Sequence, residues 1–264
     1  MKIDVENIIR SKTKSYVPKF LINMLKKIVY QDEINFIIET NSDKDGVDFA
    51  CAVLDYFNIT TSITGLENIP KEKKLIFVSN HPLGALEAMA LAKHLGNVFD
   101  NNINFISNEL LSSIVPLQSI FTAVNVGAGK QNRDNITQID NLFLSDRQII
   151  IFPSGQVSRK KKEVIADSQW KKMFVTKARQ TQRDVVPVFC SGRNSNFFYN
   201  LANFRKFLGI KFNIELLFLP REMFKNKNSK IDITIGKSIS YTDFTNPKND
   251  FEYAQKIREN VYRI

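Results

Sequence analysis

Leu-Ile-Phe-Val-Ser-Asn-His-Pro-Leu-Gly-Ala-Leu-Glu, residues 75–87, is the stretch that predicts the fold of this chain. An apolar run ends at Asn80, a turn with a proline and a glycine follows, and a helix-forming segment carries Glu87. A strand that ends in a turn and leads into a helix places the turn at the carboxyl end of a sheet, where α/β proteins bind ligands. His81, one of only two histidines, lies in that turn. Because imidazole exchanges a proton near neutral pH, His81 is the candidate general base of an enzyme.

Glu87 is the candidate partner of His81, but their spacing restricts how they can meet. Six residues on one ideal helix would separate the side chains by about 240°. They meet only if His81 lies in the turn before the helix, with Pro82 at the first helical position, and folds back. A carboxylate in contact would then fix the imidazole tautomer and stabilise its protonated form. In the alternative interpretation, His81 only caps the helix and Glu87 is a solvated acid. His94 lies within a helical pattern and is predicted to be structural.

Strands and helices alternate from Leu75 onward, which is typical of a layered α/β protein. We predict a mixed, largely parallel central sheet flanked by helices. The N-terminal part instead has helical periodicity over residues 18–38 and 45–57. The sequence therefore predicts two parts, an N-terminal helical appendage (1–60) and an α/β domain (61–264). The strand candidates are residues 74–79, 103–107, 121–126, 148–153, 185–190, 214–219 and 231–235.

The chain is strongly basic, with a net charge of +10 over 264 residues. This excess of positive charge suits nucleic acid, an acidic membrane surface, a phosphorylated ligand or an acidic carrier protein. A basic surface that is merely solvated is the alternative. Because no helix–turn–helix, zinc-finger or RNA-recognition motif appears, specific binding of nucleic acid is not expected.

Cysteine usage and hydropathy predict the compartment. Cys51 and Cys190 lack the spacing of metal ligands, and no metal site is expected. The sequence has neither the apolar core of a secretory signal nor a run of the roughly 18–20 apolar residues that spans a bilayer. These features predict a reduced, cytoplasmic setting.

Two further loops follow predicted strands and carry candidate binding residues. In residues 121–133 a strand leads into a glycine-containing loop with Lys130 and Arg133, whose cations and backbone amides suit a phosphate. The glycine spacing is not that of a Walker loop. In residues 152–159, Phe-Pro-Ser-Gly-Gln-Val-Ser-Arg, Gly155 permits close backbone approach, and neighbouring amides could polarise a carbonyl. A solvated surface is the alternative for both loops.

A proline interrupts the apolar run Val-Val-Pro-Val-Phe at residues 185–189. Proline is rare within a central strand because it cannot donate a backbone hydrogen bond. Pro187 therefore indicates either the wall of a ligand cleft or an edge strand.

Four motifs, in this order, resemble those of the phospholipid/glycerol acyltransferase family. That family has a His–acid motif on a strand-to-helix turn, an arginine-bearing block, a Pro-Glu-Gly turn and an apolar block with a proline. The resemblance runs from Gly65 to about Gly236 and implies a glycerol-phosphate acyltransferase-like fold. Residues 187–220 are further similar to a hemolysin-like branch, which is associated with bacterial aminolipid assembly. The matching segments are residues 80–87, 124–133, 152–159 and 185–188.

The resemblance implies direct transfer of a fatty acyl chain from a thioester, on acyl carrier protein or coenzyme A, to a hydroxyl group. His81 would remove the acceptor proton, and Glu87 would orient the imidazole and stabilise its charge. Backbone donors near Gly155 would stabilise the oxyanion. No metal, redox cofactor or covalent enzyme intermediate is implied. Basic residues would hold an anionic head group or the pantetheine phosphate, namely Lys130, Arg133 and Arg159.

Ser154 stands where the family has the glutamate of its Pro-Glu-Gly turn, a carboxylate associated with binding glycerol phosphate. The resemblance therefore implies a different head group near Ser154, and an amino-acid-derived lyso-lipid is the expected acceptor. The basic surface suits peripheral contact with an anionic membrane, at the inner face of the cell membrane. Two alternatives stay open: a catalytically inactive lipid- or acyl-carrier-binding protein, and an N-acyltransferase that acts on an amine.

Overall fold

Helices and strands follow one another along most of the chain. The computed structural model describes residues 2–13, 16–108, 114–124 and 133–264, with the backbone alone at positions 12, 108, 124 and 133–136. The helices are α1 (Val5–Lys12), α2 (Lys19–Ile28), α3 (Gln31–Thr40), α4 (Gly46–Tyr56), α5 (Leu86–Val98), α6 (Arg133–Leu144), α7 (Met173–Thr181), α8 (Asn196–Phe207), α9 (Leu219–Lys225) and α10 (Asp250–Val261). The strands are β1 (Thr60–Thr64), β2 (Leu75–Ser79), β3 (Ile103–Asn108), β4 (Phe121–Val124), β5 (Gln148–Ile151), β6 (Arg159–Lys161), β7 (Val164–Ala166), β8 (Asp184–Cys190) and β9 (Lys230–Ile235).

One seven-stranded sheet organises the fold, in the order β1-β9-β8-β2-β5-β3-β4. Neighbouring strands in it are parallel, except that β8 and β9 are antiparallel. The strands β6 and β7 form a separate antiparallel hairpin. The prediction of a mixed, largely parallel sheet is confirmed. Because β2 lies between β5 and β8, the turn that follows it lies near the middle of the sheet's edge.

Alternating side chains of the central strands build a hydrophobic layer on each face of the sheet. Phe77 of β2 and Ile150 of β5 belong to the layer that α4 and α5 cover. Ile76 and Ile149 belong to the opposite layer, which α6, α7 and α10 cover. Both faces are therefore buried, which explains why these strands are apolar without a polar alternation.

The N-terminal helices contribute to the same core as the sheet. Ile37 and Ile38 of α3 and Phe49 of α4 are buried in the cluster that contains Phe77. The predicted division into residues 1–60 and 61–264 stays a prediction. Within the described ranges, no helix is both long and apolar enough to cross a bilayer.

Several predicted elements are wrong in detail. Residues 18–38 form two helices instead of one, because Tyr30 between them has a left-handed backbone with φ of 54°. Residues 214–219 are not a strand: Ile214–Phe218 is a 3₁₀ helix, where Glu215 forms buried ion pairs. The strand β1 was not predicted, since Thr-Thr-Ser-Ile-Thr lacks an apolar alternation. The end of the predicted strand 121–126 lies outside the described residues.

Pro187 lies in an interior strand, so the edge-strand interpretation is wrong. On the side of β8 that faces β9, regular strand pairing begins only at Val188, and an isolated bridge joins Val185 to Ile239. Between the bridge and the regular pairing, the Pro187 carbonyl accepts a hydrogen bond from the Gly236 amide at 2.8 Å. Proline is tolerated because its missing N–H falls where the ladder is interrupted.

Replacing Gly65 with alanine is expected to cost about 2 kcal/mol more stability than the same change at Gly209. Gly65 has φ of +80°, and an added Cβ would collide with the carbonyl oxygen of Ile235. Gly209 has φ of +70°, but nothing lies within 4 Å of its Cβ position. The Gly209→Ala variant therefore loses only the stability that the left-handed backbone costs a residue with a side chain, about 1–2 kcal/mol. Urea unfolding measures both variants, and equal losses would contradict the close packing of Gly65.

Candidate active site

The turn between β2 and α5 brings His81 and Glu87 into contact. Nδ1 of His81 lies 2.8 Å from Oε1 of Glu87. The helix α5 begins at Leu86 and not at Pro82 as predicted. Residues 80–85 are therefore free to fold back, and Glu87 sits in the first helical turn. Since Glu87 is fully buried, the interpretation of a solvated surface acid is wrong.

The Glu87 carboxylate holds the turn as well as the imidazole. Its Oε1 also accepts the backbone amides of Leu83 at 3.0 Å and Gly84 at 2.9 Å. Burial acts to raise the pKa of Glu87, but the charge and hydrogen bond of His81 and the two amides together hold that pKa below its ordinary value. The carboxylate is therefore charged at neutral pH and fixes the orientation of the imidazole.

Phe152 fixes the His81 ring from the side of the neighbouring strand β5. The two rings stack with their centroids 4.2 Å apart and their planes 21° apart. The His81 side chain is 16% exposed, so the ring is mostly covered but reachable. Because Nδ1 faces Glu87, Nε2 is the nitrogen that remains to exchange a proton with a substrate.

Asp167 ties the His81 turn to the 152–159 loop. Its Oδ1 accepts the His81 amide at 3.2 Å and the Ser158 hydroxyl at 2.6 Å, and its Oδ2 accepts Nε1 of Trp170 at 2.9 Å. The Ser158 amide in turn donates to the His81 carbonyl at 2.7 Å. Asp167 is a positioning residue that no local sequence motif marks, because only the tertiary fold brings it to the turn.

Asn80 pins the end of β2 to the neighbouring strand β8. Its side-chain Nδ2 donates to the Cys190 carbonyl at 2.9 Å, and its Oδ1 accepts the Cys190 amide at 2.7 Å. In the loop that follows β8, the side-chain Nδ2 of Asn194 donates to the Pro82 carbonyl at 3.2 Å. The histidine turn is thus held to β8 and to the loop that follows it.

Ser154 and Gly155 form a tight turn close to the histidine. The Ser154 hydroxyl donates to the Gln156 carbonyl at 2.6 Å, and the Gly155 amide donates to the Phe152 carbonyl at 3.0 Å. Gly155 has φ of +66°, and its Cα faces the side chain of Lys171. The Gly155 amide therefore closes the turn, and donation to an oxyanion from this loop stays a prediction.

Arg159 lies in a buried ion network. Its guanidinium donates to Glu215 at 2.9 Å and to the Val157 carbonyl at 2.6 Å, and Glu215 also pairs with Arg205 at 2.9 Å. Burial lowers the pKa of Arg159 despite the opposing effect of Glu215. The structure therefore shows Arg159 joining the 152–159 loop to α8 and its following 3₁₀ helix. A role in binding an anionic head group stays a prediction.

The side chains of two predicted binding residues, Lys130 and Arg133, lie outside the part of the chain that the structure describes. Lys130 lies outside the described residues. Arg133 opens α6, and only its backbone is described. His94 lies on α5, where Nε2 is 2.9 Å from the Thr61 hydroxyl. Burial, with a smaller effect of Lys93, lowers the pKa of His94.

This turn holds a histidine against a buried carboxylate at the edge of a mainly parallel sheet, and comparison with known proteins identifies the class of protein. The family model described as acyltransferase matches residues 8–264. The chain therefore belongs to the acyltransferase family, is an acyltransferase, and has the predicted relation to the phospholipid/glycerol acyltransferases.

Similar proteins include curated relatives and a solved structure. The chain is 43% identical to a lyso-glycine lipid O-acyltransferase of Bacteroides thetaiotaomicron, over 99% of this chain and 97% of the relative. It is 42% identical to one of Phocaeicola vulgatus, over 99% and 95%. The crystal structure of the 1-acyl-sn-glycerophosphate acyltransferase PlsC of Thermotoga maritima matches with a TM-score of 0.51 and 18% identity, over 93% and 96% of the chains. That last likeness shows the shared fold.

As the pH is lowered, the free energy of unfolding of the Glu87→Gln variant is expected to fall less than that of the wild type. Because the pKa of Glu87 is lowered on folding, its contribution to stability is complete above the ordinary value of 4.5 and is lost as the pH falls from there through the lowered value. A single carboxyl changes the free energy of unfolding by at most about 1.4 kcal/mol per pH unit. Urea unfolding between about pH 3 and pH 6 should give a flatter profile for the variant. Parallel profiles would show that the folded pKa is not lowered.

Proposed function

We propose that this protein transfers a fatty acyl chain from an acyl thioester to the hydroxyl group of a lyso-glycine lipid. The contact between His81 Nδ1 and Glu87 Oε1, 2.8 Å long, carries the catalytic part of the proposal. The two relatives named lyso-glycine lipid O-acyltransferase, which match 99% of the chain, support the acceptor. An amino-acid-derived lyso-lipid is also the acceptor expected from the sequence.

His81 acts as the general base in this reaction. Its Nε2 takes the proton of the acceptor hydroxyl while the hydroxyl oxygen forms a bond to the thioester carbonyl carbon. The tetrahedral intermediate then collapses, the C–S bond breaks, and the imidazolium returns the proton to the leaving thiolate. Glu87 stabilises the imidazolium between these two steps, because its carboxylate is charged and buried beside the ring. The reaction therefore consumes only the thioester and the acceptor hydroxyl and releases the new ester and a thiol.

The loop after β5 supports an acceptor other than glycerol phosphate. Where a Pro-Glu-Gly turn would provide a carboxylate, Ser154 has a short hydroxyl side chain that hydrogen-bonds within its own turn. The neighbouring Lys171 places an exposed ammonium group beside Gly155. Because no glutamate stands at position 154, the Lys171 ammonium is free of an acidic neighbour in this turn. It therefore suits a head group with a free carboxylate, such as the glycine of a glycine lipid.

The acyl donor is a thioester of acyl carrier protein or of coenzyme A, and the site of action is the inner face of the cell membrane. Both donors carry phosphate, and the carrier protein is acidic, so the net charge of +10 attracts either of them electrostatically. The same charge favours peripheral contact with an anionic membrane, where a lyso-lipid resides.

The two histidines of the chain provide a matched test of the proposed base. His81→Gln is expected to lower acyl transfer by at least about 100-fold, because it removes the proton acceptor. His94→Gln is expected to keep wild-type activity, since His94 contacts Thr61 and not the turn. Transfer of a radiolabelled acyl chain is measured at equal concentrations of folded protein, verified by circular dichroism. Equal activity of the wild type and His81→Gln would exclude His81 as the base.

The acceptor and the bond formed are tested with defined substrates. Purified protein is expected to acylate a lyso-glycine lipid and to leave 1-acyl-glycerol 3-phosphate unmodified, with acyl carrier protein and coenzyme A thioesters supplied in separate reactions. Mild alkaline methanolysis should release the new acyl chain, because it cleaves esters and spares amides. An alkali-stable product would instead identify an N-acyltransferase. Absence of transfer from both donors, with binding retained, would favour an inactive lipid- or carrier-binding protein.

A further inference from the structure

The end of α8 and the loop after it expose a cluster of large apolar side chains. Residues 204–212 read Phe-Arg-Lys-Phe-Leu-Gly-Ile-Lys-Phe. Five of these nine residues are large, apolar and between 40% and 85% exposed: Phe204, Phe207, Leu208, Ile210 and Phe212. Single exposed apolar residues are common on proteins, but a contiguous group marks a surface that binds something.

Basic residues lie within this cluster and beside it. Lys206 and Lys211 lie within it, and both are exposed. The β6–β7 hairpin lies beside it, since the Asn203 side chain donates to the Lys160 carbonyl at 3.3 Å. Burial and then the positive charges of Arg159, Arg205 and Lys161 lower the pKa of Lys206, which places these cations near one another. Residues 160–164 and 204–212 together are called the apolar–basic surface below.

Charge on the apolar–basic surface is strongly asymmetric. The hairpin segment 160–164 contributes three lysines and one acid, Glu163, and ends in Val164, whose side chain is also well exposed. Segment 204–212 contains no acidic residue. The nearby Glu215 is buried and paired with Arg159 and Arg205. The exposed charge is therefore positive around an apolar centre.

The same elements lead back to the histidine turn. The β6–β7 hairpin starts directly after Ser158, whose amide donates to the His81 carbonyl at 2.7 Å. Phe198, near the start of α8, shares a buried cluster with Val157 of the 152–159 loop. The nine residue-to-residue steps from Phe198 to Phe207 span about 14 Å at 1.5 Å per step. The exposed apolar group thus lies one short helix away from the elements that frame His81.

We propose that the apolar–basic surface binds an anionic lipid bilayer, with its apolar side chains entering the membrane interface and its lysines contacting lipid phosphates. The inference deepens the proposed function and rests on it, because the bilayer supplies the lyso-lipid acceptor. Phenylalanine and leucine beside lysine is the composition that favours the interface, where apolar burial and attraction to anionic lipid add together.

Charge and shape favour a bilayer over two protein partners. A second copy of this chain would bring two positive surfaces face to face, which costs electrostatic energy. An acidic protein would pair with the lysines but would also need a groove for five protruding apolar side chains. A fluid lipid interface accepts both features without a matching shape.

Vesicle binding of the full chain tests this surface. The wild type is expected to cosediment with phosphatidylglycerol-containing vesicles, less with pure phosphatidylcholine vesicles, and less as salt is added. The double variant Phe207→Ser/Phe212→Ser should bind the anionic vesicles about tenfold or more weakly, because it removes apolar side chains from the interface. The matched control, Leu144→Ser/Phe251→Ser, changes two other residues that are 66% and 44% exposed and should bind like the wild type.

Activity in two lipid environments separates this surface from the catalytic proposal. With lyso-glycine lipid in detergent micelles, the Phe207→Ser/Phe212→Ser variant should match the wild type, whereas with the lipid embedded in vesicles its transfer rate should fall together with binding. Vesicle binding equal to that of the wild type would overturn the membrane assignment and leave the role of His81 intact. A wild-type dimer that this variant converts to a monomer, with unchanged vesicle binding, would identify a contact between copies instead. Loss of transfer in His81→Gln with normal vesicle binding would support both proposals.

Discussion

A buried carboxylate is the constraint on which the active-site turn depends. Glu87 has no exposed surface, and a buried charge is tolerated only when hydrogen-bond donors compensate for its lost hydration. Three donors converge on its Oε1, from the His81 ring and from the amides of Leu83 and Gly84. Those amides can reach the carboxylate only while residues 82–85 stay out of the helix. The late start of α5 and the orientation of the imidazole therefore have the same cause.

The rest of the fold supplies a rigid frame for that turn. The side chain of Asn80 holds the end of β2 to β8, and Asp167 holds the His81 amide and the Ser158 hydroxyl. Both anchors are buried polar groups with good partners, so a displacement of the turn would leave several groups unsatisfied at once. The catalytic proposal requires such rigidity, because a general base must keep its proton acceptor at hydrogen-bond distance from the substrate.

Local signals in the sequence predicted the fold class and the meeting of His81 with Glu87, while long-range contacts determined what was missed. The apolar run, the turn and the following helix lie within thirteen residues, so their pattern is readable without the tertiary structure. The pair of Arg159 with Glu215 joins positions 56 residues apart, and that of Asp167 with His81 joins positions 86 apart. No periodicity reveals such partners. The apolar segment 214–219 reads as a strand, but Glu215 within it forms buried ion pairs with Arg159 and Arg205, which local propensity does not reveal.

The 152–159 loop gives the proposed chemistry and the proposed membrane contact a common support. At its start Phe152 stacks on the imidazole, and at its end Ser158 binds the His81 backbone while Arg159 enters the buried pair with Glu215. Glu215 also holds Arg205, which lies within segment 204–212. A bilayer bound at the apolar–basic surface would therefore be held at a fixed distance from Nε2 through a few buried polar contacts. Such an arrangement lets an acceptor present its head group to the base while its acyl chain stays in the lipid, so that the cost of exposing that chain to water is avoided.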